Sequence, residues 1–282
     1  MRPTSDLYAF QNLRLAVVMG TNEIASAVAV KLTGAGYRVV MAHDTFPPVI
    51  RRGMAFHDAL YDDPVEVAGV VGERADGLLA IAAVLAQPAR VAVTPLSLME
   101  LLAYRAADVL VDARMQKTRL TPDFRGLARL TIGMGPRFAV GVNCDIAVET
   151  RPSRAGLLLT EGETDAPDGV ARRLGGVGRE RFAYSDRSGL WRTPVDIGMW
   201  VPKAFVVGRH DGMPVAAPIE GVVRGMARDG VYAPAGVKLV EIDPRGRDAC
   251  WTGLDERGLR LANACLQAIS ERPTVERLVA FG

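Results

Sequence analysis

Residues 13–41, LRLAVVMGTNEIASAVAVKLTGAGYRVVM, contain the pattern that decides the fold. Leu13–Met19 is an apolar, partly β-branched run that ends at Gly20, which predicts a buried strand. The next segment repeats apolar residues every four positions and stops at the Gly-Ala-Gly of 34–36, which predicts a helix. Tyr37–Met41 predicts a second strand. A strand, a helix and a strand within about 30 residues favour a right-handed parallel βαβ unit.

Strand and helix patterns continue to alternate after this unit, up to residue 113. This alternation predicts an α/β fold with a Rossmann-like, doubly wound parallel sheet, and we assign that domain to residues 1–120. The further predicted elements are helices at 51–60, 77–86 and 96–105 and strands at 65–71, 91–93 and 108–113.

The pattern changes in residues 121–189, which we interpret as a mixed β extension with a glycine-rich loop. Apolar runs without intervening helical patterns predict strands there. These predicted strands are 127–133, 145–150 and 156–160.

Residues 190–252 consist of short apolar segments separated by Gly and Pro, and we expect a small β half-barrel that resembles biotinyl and lipoyl carriers. A V-x-A-P pattern occurs at 215–218 and, more loosely, at 231–234. A carrier role is not expected, because Lys238 lies outside the hairpin that would bear the prosthetic group. Residues 253–282 show an amphipathic pattern that predicts a C-terminal helix.

The composition excludes several classes of protein. The chain has 282 residues, with 34 basic and 32 acidic side chains, and no clustered basic face that would indicate nucleic-acid binding. The apolar run between Asp76 and Arg90 is too short for a membrane span of about 20 residues. Three cysteines, Cys144, Cys250 and Cys265, do not form a disulfide framework. With no signal-peptide pattern at the N-terminus, we expect a cytoplasmic protein.

The turn after the first strand, GTNEIA at 20–25, is an incomplete dinucleotide-binding motif. The complete motif, G-x-G-x-x-G/A, uses its central glycine to let a pyrophosphate approach the backbone. Here Gly20 and Ala25 fit the motif, but Asn22 replaces the central glycine and Glu23 adds negative charge. Two interpretations stay open: a weakened NAD(P) site, or a domain of this type that no longer binds a dinucleotide.

Asp112, Arg114 and Lys117 follow a predicted strand at the edge where open α/β sheets bind ligands. Arg114 and Lys117 are candidates to bind a phosphate or carboxylate, and Asp112 to orient Arg114. The alternative is a surface ion pair.

The segment GMGPRFAVG at 133–141 is a third candidate site. Backbone amides around Gly133 and Gly135 can form an anion nest, assisted by Arg137, although a plain tight connection between strands fits as well. No metal site is predicted, because the three histidines are far apart in the sequence. Weak catalytic candidates follow in the chain, and a buried apolar role is the alternative for the first of them: Cys144, Asp145 and Glu149.

Several longer motifs together resemble a known family. They are RRGMAFHDALYDD at 51–63, DVLVDARM at 108–115, IGMGPRF at 132–138 and EIDPR at 241–245. This set resembles the YqeB-like accessory proteins of the selenium-dependent molybdenum hydroxylase system, relatives of the XdhC maturation factors. The resemblance covers residues 13–270.

The resemblance implies an accessory protein, without catalysis of its own, that holds the molybdenum cofactor (molybdopterin), aids its sulfuration and delivers it to a molybdenum hydroxylase apo-enzyme. A cysteine desulfurase partner and a homo-oligomer are further implications. The chain departs from the family pattern at the 20–23 turn and in the loops at 151–153 and 165–168. Two alternatives therefore stay open: an NAD(P)-dependent oxidoreductase, and a diverged non-catalytic assembly subunit.

Overall fold

The structure, a computed structural model, describes residues 14–61, 63–117 and 121–271. Its largest element is a nine-stranded sheet with the order β3-β4-β5-β2-β1-β6-β7-β8-β9. Neighbouring strands are parallel except at the two edges, where β3 and β9 pair antiparallel. The strands are β1 (Leu15–Met19), β2 (Arg38–Ala42), β3 (Val65–Val67), β4 (Val70–Arg74), β5 (Arg90–Thr94), β6 (Ala107–Asp112), β7 (Ala128–Met134), β8 (Ile146–Val148) and β9 (Leu158–Leu159).

Helices cover both faces of this sheet. They are α1 (Glu23–Gly34), α2 (Leu78–Leu85), α3 (Leu98–Tyr104) and α4 (Glu256–Ser270). Alternate residues of β1 enter different cores: Ala16 and Val18 pack with α1 and α4, whereas Leu15 and Val17 pack with α2 and α3. The mixed α/β class and the parallel pairing of β1 with β2 are thus confirmed. Among the helices in the described ranges, none is long and apolar enough to span a bilayer.

The segment 51–60, for which an α-helix was predicted, forms two short 3₁₀ helices, Arg52–Met54 and Phe56–Tyr61. Tertiary contacts explain the difference. The backbone N–H of Phe56 donates to Ser26 Oγ of α1 at 2.9 Å, which holds the chain against α1. The segment predicted as one strand at 65–71 is instead the hairpin of β3 and β4.

The sheet also crosses the boundary assigned at residue 120. β7 pairs with β6, and β8 pairs with β7, so the 121–189 segment supplies three strands of the same sheet. The C-terminal helix α4 returns to this sheet and packs on α1. Residues 272–282, included in the predicted helix, lie outside the described residues.

Residues 182–243, here called the β module, form two four-stranded antiparallel sheets, β10-β17-β15-β12 and β14-β13-β11-β16. Trp191, Met226 and Leu239 are buried between the two sheets. The strands are β10 (Phe182–Tyr184), β11 (Gly189–Arg192), β12 (Trp200–Val201), β13 (Val206–His210), β14 (Met213–Ala216), β15 (Gly221–Met226), β16 (Tyr232–Ala233) and β17 (Lys238–Asp243).

The two sheets of the module are related by an internal repeat. The module has eight strands, β10 to β17, which can be counted as a cycle. Replacing each strand of the first sheet by the strand four places later in this cycle (β10 by β14, β17 by β13, β15 by β11 and β12 by β16) gives the strand order of the second sheet. The N–H of Ala204 donates to Ala217 O at 2.9 Å, and the N–H of Gly236 donates to Ser185 O at 2.8 Å, in equivalent positions. Ala204 and Gly236 also share a positive φ, 67° and 79°. The equivalent segments are therefore 200–206 and 232–238.

The V-x-A-P pattern does not mark this repeat. Its first copy, 215–218, begins in β14, which is equivalent to β10. Its second copy, 231–234, contains β16, which is equivalent to β12. The pattern recurs because both segments end a short strand with a proline, not because they are matched halves.

The module docks on the sheet through residues 50–53. The N–H of Met226 donates to Ile50 O at 2.7 Å, and Arg52 Nε donates to Met226 O at 2.9 Å. A Cβ on Gly53 would overlap the carbonyl of Trp251, which follows the module, so the contact between residues 53 and 251 requires glycine. The docking brings β17 beside the first turn of α1, because Arg51 bridges the two.

Candidate functional site

The carboxyl ends of β1 and β6 meet at the point where the connections of the sheet change direction, the usual ligand position in open α/β sheets. Gly20 ends β1 with a φ of +101°. A Cβ at this position would lie 3.1 Å from Arg114 Cα and 3.2 Å from Ala113 O. Gly20 therefore permits close contact between the two strand ends. Side chains of both connections, among them Asn22 and Arg114, lie beside it. This region between the ends of β1 and β6 is here called the groove.

Asn22 occupies the helix terminus that a dinucleotide would use. Its Oδ1 accepts hydrogen bonds from the backbone N–H groups of Ile24 at 2.9 Å and Ala25 at 3.0 Å. Its Nδ2 donates to Ala113 O at 2.8 Å. Because a pyrophosphate binds to free N–H groups at this position, the side chain of Asn22 competes directly with it. Gly20, Asn22 and Ala25 thus lie together in one turn, as expected. The helix N-terminus in this turn is capped by the Asn22 side chain.

Asp112 and Arg114 form the predicted pair at the end of β6. Arg114 Nε and Nη2 donate to the two carboxylate oxygens of Asp112 at 2.9 and 2.7 Å. Arg114 Nη1 is 3.6 Å from Asp44, and the guanidinium lies 5.6 Å from the ring centre of Phe124. Burial opposes the charge, but the hydrogen bond and attraction of Asp112 raise the pKa of Arg114 overall. Lys117 is exposed at the rim.

Two histidines meet at the same edge, and the sequence interpretation missed them. Thr21 Oγ1 is 2.9 Å from His57 Nδ1 and 3.4 Å from His43 Nδ1, and the ring centres are 5.4 Å apart. Burial, then His43, lowers the pKa of His57 to about 4. Burial also lowers the pKa of His43, against the attraction of Asp44. Both imidazoles are therefore neutral hydrogen-bonding groups at pH 7. The sequence did contain an indication of this site, because His57 is a polar ring within the apolar MAFHDAL run.

The packing of residues 133–137 does not favour the predicted anion nest, which stays a prediction. Gly133 is a buried residue of β7, and a Cβ there would overlap the ring of Phe138. The N–H of Gly135 is directed to Val148 O at 3.4 Å. Arg137 is exposed, with a φ of 68°. The two glycines thus allow ring packing and a turn, and the Gly135 amide is not available to an anion.

Cys144 and Asp145 lie where β8 begins, at the opposite edge of the sheet from Gly20. Cys144 is 1% exposed, and burial raises the pKa of its thiol to about 12. Asp145 accepts hydrogen bonds from the N–H and the hydroxyl of Thr131, both at 2.8 Å. The structure therefore does not bring these two candidates to the groove.

Glu149 follows β8 at the same edge as Gly20, but its carboxylate is used within its own loop. It accepts hydrogen bonds from the N–H groups of Thr150 at 2.6 Å, Arg151 at 2.7 Å and Asp165 at 2.7 Å. These bonds assign it a structural role. Within the described ranges, no group of three or more His, Cys, Asp or Glu side chains is placed to hold a metal ion.

A buried ion network joins the groove to the β module. Glu241 of β17 is fully buried and accepts from Arg51 Nε at 2.7 Å and from Arg181 Nε at 3.0 Å. Arg51 Nη1 also donates to Glu23 at 2.7 Å. Burial opposes ionisation of Glu241, but Arg51 outweighs it and lowers the pKa of the carboxyl to about 2. The charged residue in the apolar LVEID run was the sequence signal for such a network.

Comparison with known proteins identifies a relative in Escherichia coli. The chain is 31% identical over 260 residues to the uncharacterized protein YqeB of strain K12. The aligned region is 91% of this chain and 47% of the relative, so the chain spans about half the length of the curated relative it matches. No family model matches the chain.

Proposed function

The chain is a YqeB-like protein, and on that premise we propose that it is an accessory or maturation protein for a molybdenum hydroxylase. It binds a phosphate-bearing pterin, the molybdenum cofactor, or a nucleotide in the groove between β1 and β6, and it aids cofactor sulfuration or insertion. One observation carries the proposed binding site. Arg114 is held by Asp112 at 2.7–2.9 Å at this edge, so a cation is fixed where such sheets bind ligands.

The finer fold assignments belong to the same proposal. We interpret the large sheet as Rossmann-like and the protein as a relative of the XdhC maturation factors. The repeat relation between the two small sheets supports a biotinyl- or lipoyl-like half-barrel. The hairpin between β13 and β14 has Asp211 and Gly212 at its tip, so a module of this kind has lost the carrier lysine and supplies binding surface instead.

The NAD(P)-dependent oxidoreductase is the less favoured alternative. The Asn22 side chain occupies the N–H groups of Ile24 and Ala25, where the pyrophosphate would bind. The carboxylate of Glu23 lies beside them, paired with Arg51 at 2.7 Å. Dinucleotide binding at this turn would require both side chains to move.

The assembly subunit is supported by a separate observation. The β module exposes large apolar side chains, among them Trp200 at 59%, Phe205 at 44% and Tyr232 at 66%. Exposed aromatic residues of this kind are typical of protein interfaces. The proposed partners are a molybdenum hydroxylase apo-enzyme, a cysteine desulfurase and further copies of this chain. Sulfur transfer through Cys144 is not part of this proposal, since its thiol is buried.

The proposed function is tested by identifying the small molecules that co-purify with the protein. The full chain is purified from cells that make the molybdenum cofactor, and the small molecules released on denaturation are identified by mass spectrometry. A pterin or its oxidation product is expected. A pyridine nucleotide would favour the oxidoreductase, and an empty protein that co-purifies with a partner would favour the assembly subunit.

A matched pair of variants locates the binding site. Arg125 forms the same bidentate pair with Asp123, two residues before it, as Arg114 forms with Asp112, but on an exposed loop. Arg114→Ala is expected to release the bound molecule, and Arg125→Ala to retain it. Equal retention by both variants would remove the groove from the proposal.

A further inference from the structure

A small cavity of about 60 Å³ lies where the start of α4 meets the loop between β8 and β9. Among the described residues, three arginines line it, Arg172, Arg257 and Arg260. Pro152 and Ala155 of the loop form an apolar wall. These residues belong to three separate parts of the chain, so the cavity exists only in the folded protein.

Arg257 is the least engaged of the three arginines. Within the described part of the chain, its guanidinium makes one long hydrogen bond, from Nη2 to Thr150 O at 3.5 Å. The side chain is half-buried, and burial lowers its pKa against the attraction of Glu23. A guanidinium has five N–H donors, so most of those of Arg257 are available to a ligand. A desolvated cation without a counter-ion destabilises a fold, and a bound anion removes that cost.

The other two arginines share one carboxylate, that of Glu256, which also lines the cavity. Arg260 Nη2 donates to Glu256 Oε1 at 2.8 Å, and Arg172 Nη2 is 3.5 Å from Glu256 Oε2. Three cations and one carboxylate leave an excess of two positive charges around the cavity. A phosphate monoester carries about 1.5 to 2 negative charges at pH 7, which would balance this excess.

The carboxylates that attract Arg257 from outside the cavity are already paired. Glu23 accepts a hydrogen bond from Arg51 Nη1 at 2.7 Å, and Asp255 accepts one from Arg224 Nη2 at 2.7 Å. Each of these carboxylates therefore has a closer cation than Arg257. An anion in the cavity would be the direct counter-ion that Arg257 does not find in them.

Contacts with the interior hold the walls of the cavity in place. Arg181, which is 3% exposed, donates from Nη1 to Arg172 O at 2.7 Å and pairs with the buried Glu241 at 3.0 Å. On the other side, a Cβ on Gly156 would lie 3.2 Å from Arg260 Cγ, so the β8–β9 loop packs directly on this side chain. The arginines are thus positioned before a ligand binds, which reduces the cost of binding.

The size of the cavity suits a phosphate group. One buried water molecule needs about 10–15 Å³, so 60 Å³ accommodates about four oxygen atoms, the number in a phosphate group. Arg172 and Arg260 are exposed, so the cavity opens to solvent. The rest of a larger ligand can therefore remain outside.

We propose that Arg172, Arg257 and Arg260 form a binding site for the phosphate group of a phosphate monoester. Arg257 supplies the unengaged donors, and the other two arginines turn part of their contact from Glu256 to the phosphate. The site is separate from the groove, because Arg114 is not among the residues that line the cavity. It goes beyond the proposed function and does not rest on it.

The site is tested by calorimetric titration of the full chain with inorganic phosphate, with ionic strength matched by chloride. We expect saturable binding. Arg257→Met should weaken it by about tenfold or more, since charge-assisted hydrogen bonds are lost. Glu256→Gln should tighten it, because the competing carboxylate is removed. Arg173→Met is the matched control, since Arg173 is an exposed arginine directly after Arg172 but outside the cavity lining.

Chemical modification of the unmodified protein keeps the result readable if a variant folds poorly. Phosphate should slow the reaction of Arg260 with phenylglyoxal, as measured by peptide mass spectrometry, and leave that of Arg173 unchanged. Any of three results would overturn the site: no saturable binding, equal binding by Arg257→Met and Arg173→Met, or an unprotected Arg260. Weaker binding by Glu256→Gln would overturn it as well.

Two further outcomes separate this site from the proposed function. Phosphate binding that is lost in Arg114→Ala but kept in Arg257→Met would place the phosphate in the groove and overturn the cavity site alone. Phosphate binding that depends on Arg257, in a protein that releases neither a pterin nor a nucleotide, would support the cavity site and contradict only the proposed function.

Discussion

Asn22 joins the ends of two neighbouring strands, because its Nδ2 donates to the backbone carbonyl oxygen of Ala113 at 2.8 Å. The same side chain caps α1 through its Oδ1. One amide therefore closes the turn after β1, starts the helix and holds the end of β6. A glycine at this position, as in a dinucleotide-binding turn, would provide none of these bonds.

Asn22→Ala should therefore lose more stability than the removal of an ordinary cap. Loss of a cap costs about 1 kcal/mol, and the unpaired carbonyl of Ala113 adds about 1 kcal/mol. The free energy of unfolding in urea measures the sum. Ser97→Ala is the control, since Ser97 caps α3 in a capping box and bridges no second strand. Equal losses in the two variants would show that the bond to Ala113 contributes nothing.

Gly133 is expected to tolerate no side chain, because the ring of Phe138 fills the space of its Cβ. Gly133→Ala should reduce the free energy of unfolding by about 1–3 kcal/mol, the usual effect of overpacking. Gly77→Ala is the control, with open space around the Cβ position and an ordinary φ of −164°. In a Phe138→Ala background the Gly133→Ala loss should shrink. An undiminished loss would place its cause elsewhere than the ring.

The stability of the protein should fall on mild acidification because of His57. Its pKa is about 4 in the folded protein and 6.5 in the unfolded chain. Between these values the unfolded chain binds the proton more strongly. Stability is therefore complete above pH 6.5 and is lost as the pH falls toward 4, by about 3 kcal/mol at most.

Urea unfolding measured from pH 7.5 to pH 5 tests this dependence. This range avoids Glu241, whose pKa falls from 4.5 to about 2 on folding and whose contribution is lost only below pH 4.5. His57→Asn should flatten the dependence. An unchanged slope in His57→Asn would assign it to another group.

The three cysteines should react with thiol reagents in a fixed order. All three are free thiols, but Cys144 and Cys265 are buried, and burial raises the pKa of each to about 12. Cys250 is half-buried at the surface. In the folded protein one equivalent of an alkylating reagent should react, at Cys250, and the other two only in denaturant. Rapid labelling of Cys144 in the folded protein would restore it as a candidate for sulfur transfer.

The parallel strands other than β4 were predicted to within about two residues, because a strand covered on both faces is a continuous apolar run that the sequence displays directly. Predicted 91–93 became Arg90–Thr94, and predicted 108–113 became Ala107–Asp112. The 51–60 segment was predicted less well, because its conformation depends on the bond from Phe56 to Ser26 and not on its own periodicity.

The candidate site likewise contains some features that the sequence predicted and others that it did not. The Asp112–Arg114 pair was predictable, since its partners are two residues apart and follow a strand. The anion nest at Gly133 and Gly135 stays a prediction that the packing does not favour. In the sequence, a glycine required by a neighbouring ring cannot be distinguished from one required by a ligand. His43 and His57 were judged too far apart in sequence to act together, yet both contact Thr21.

The sequence by itself determined the strand–helix–strand unit at 13–41, the α/β class and the turn chemistry at Gly20, since each depends on residues within a few positions of one another. Only the tertiary structure decided which charges meet. Arg51 and Glu241 are 190 residues apart, and their ion pair exists only because the β module docks on the sheet. Electrostatic energy depends on distance and burial in space, and neither can be read from positions along the chain.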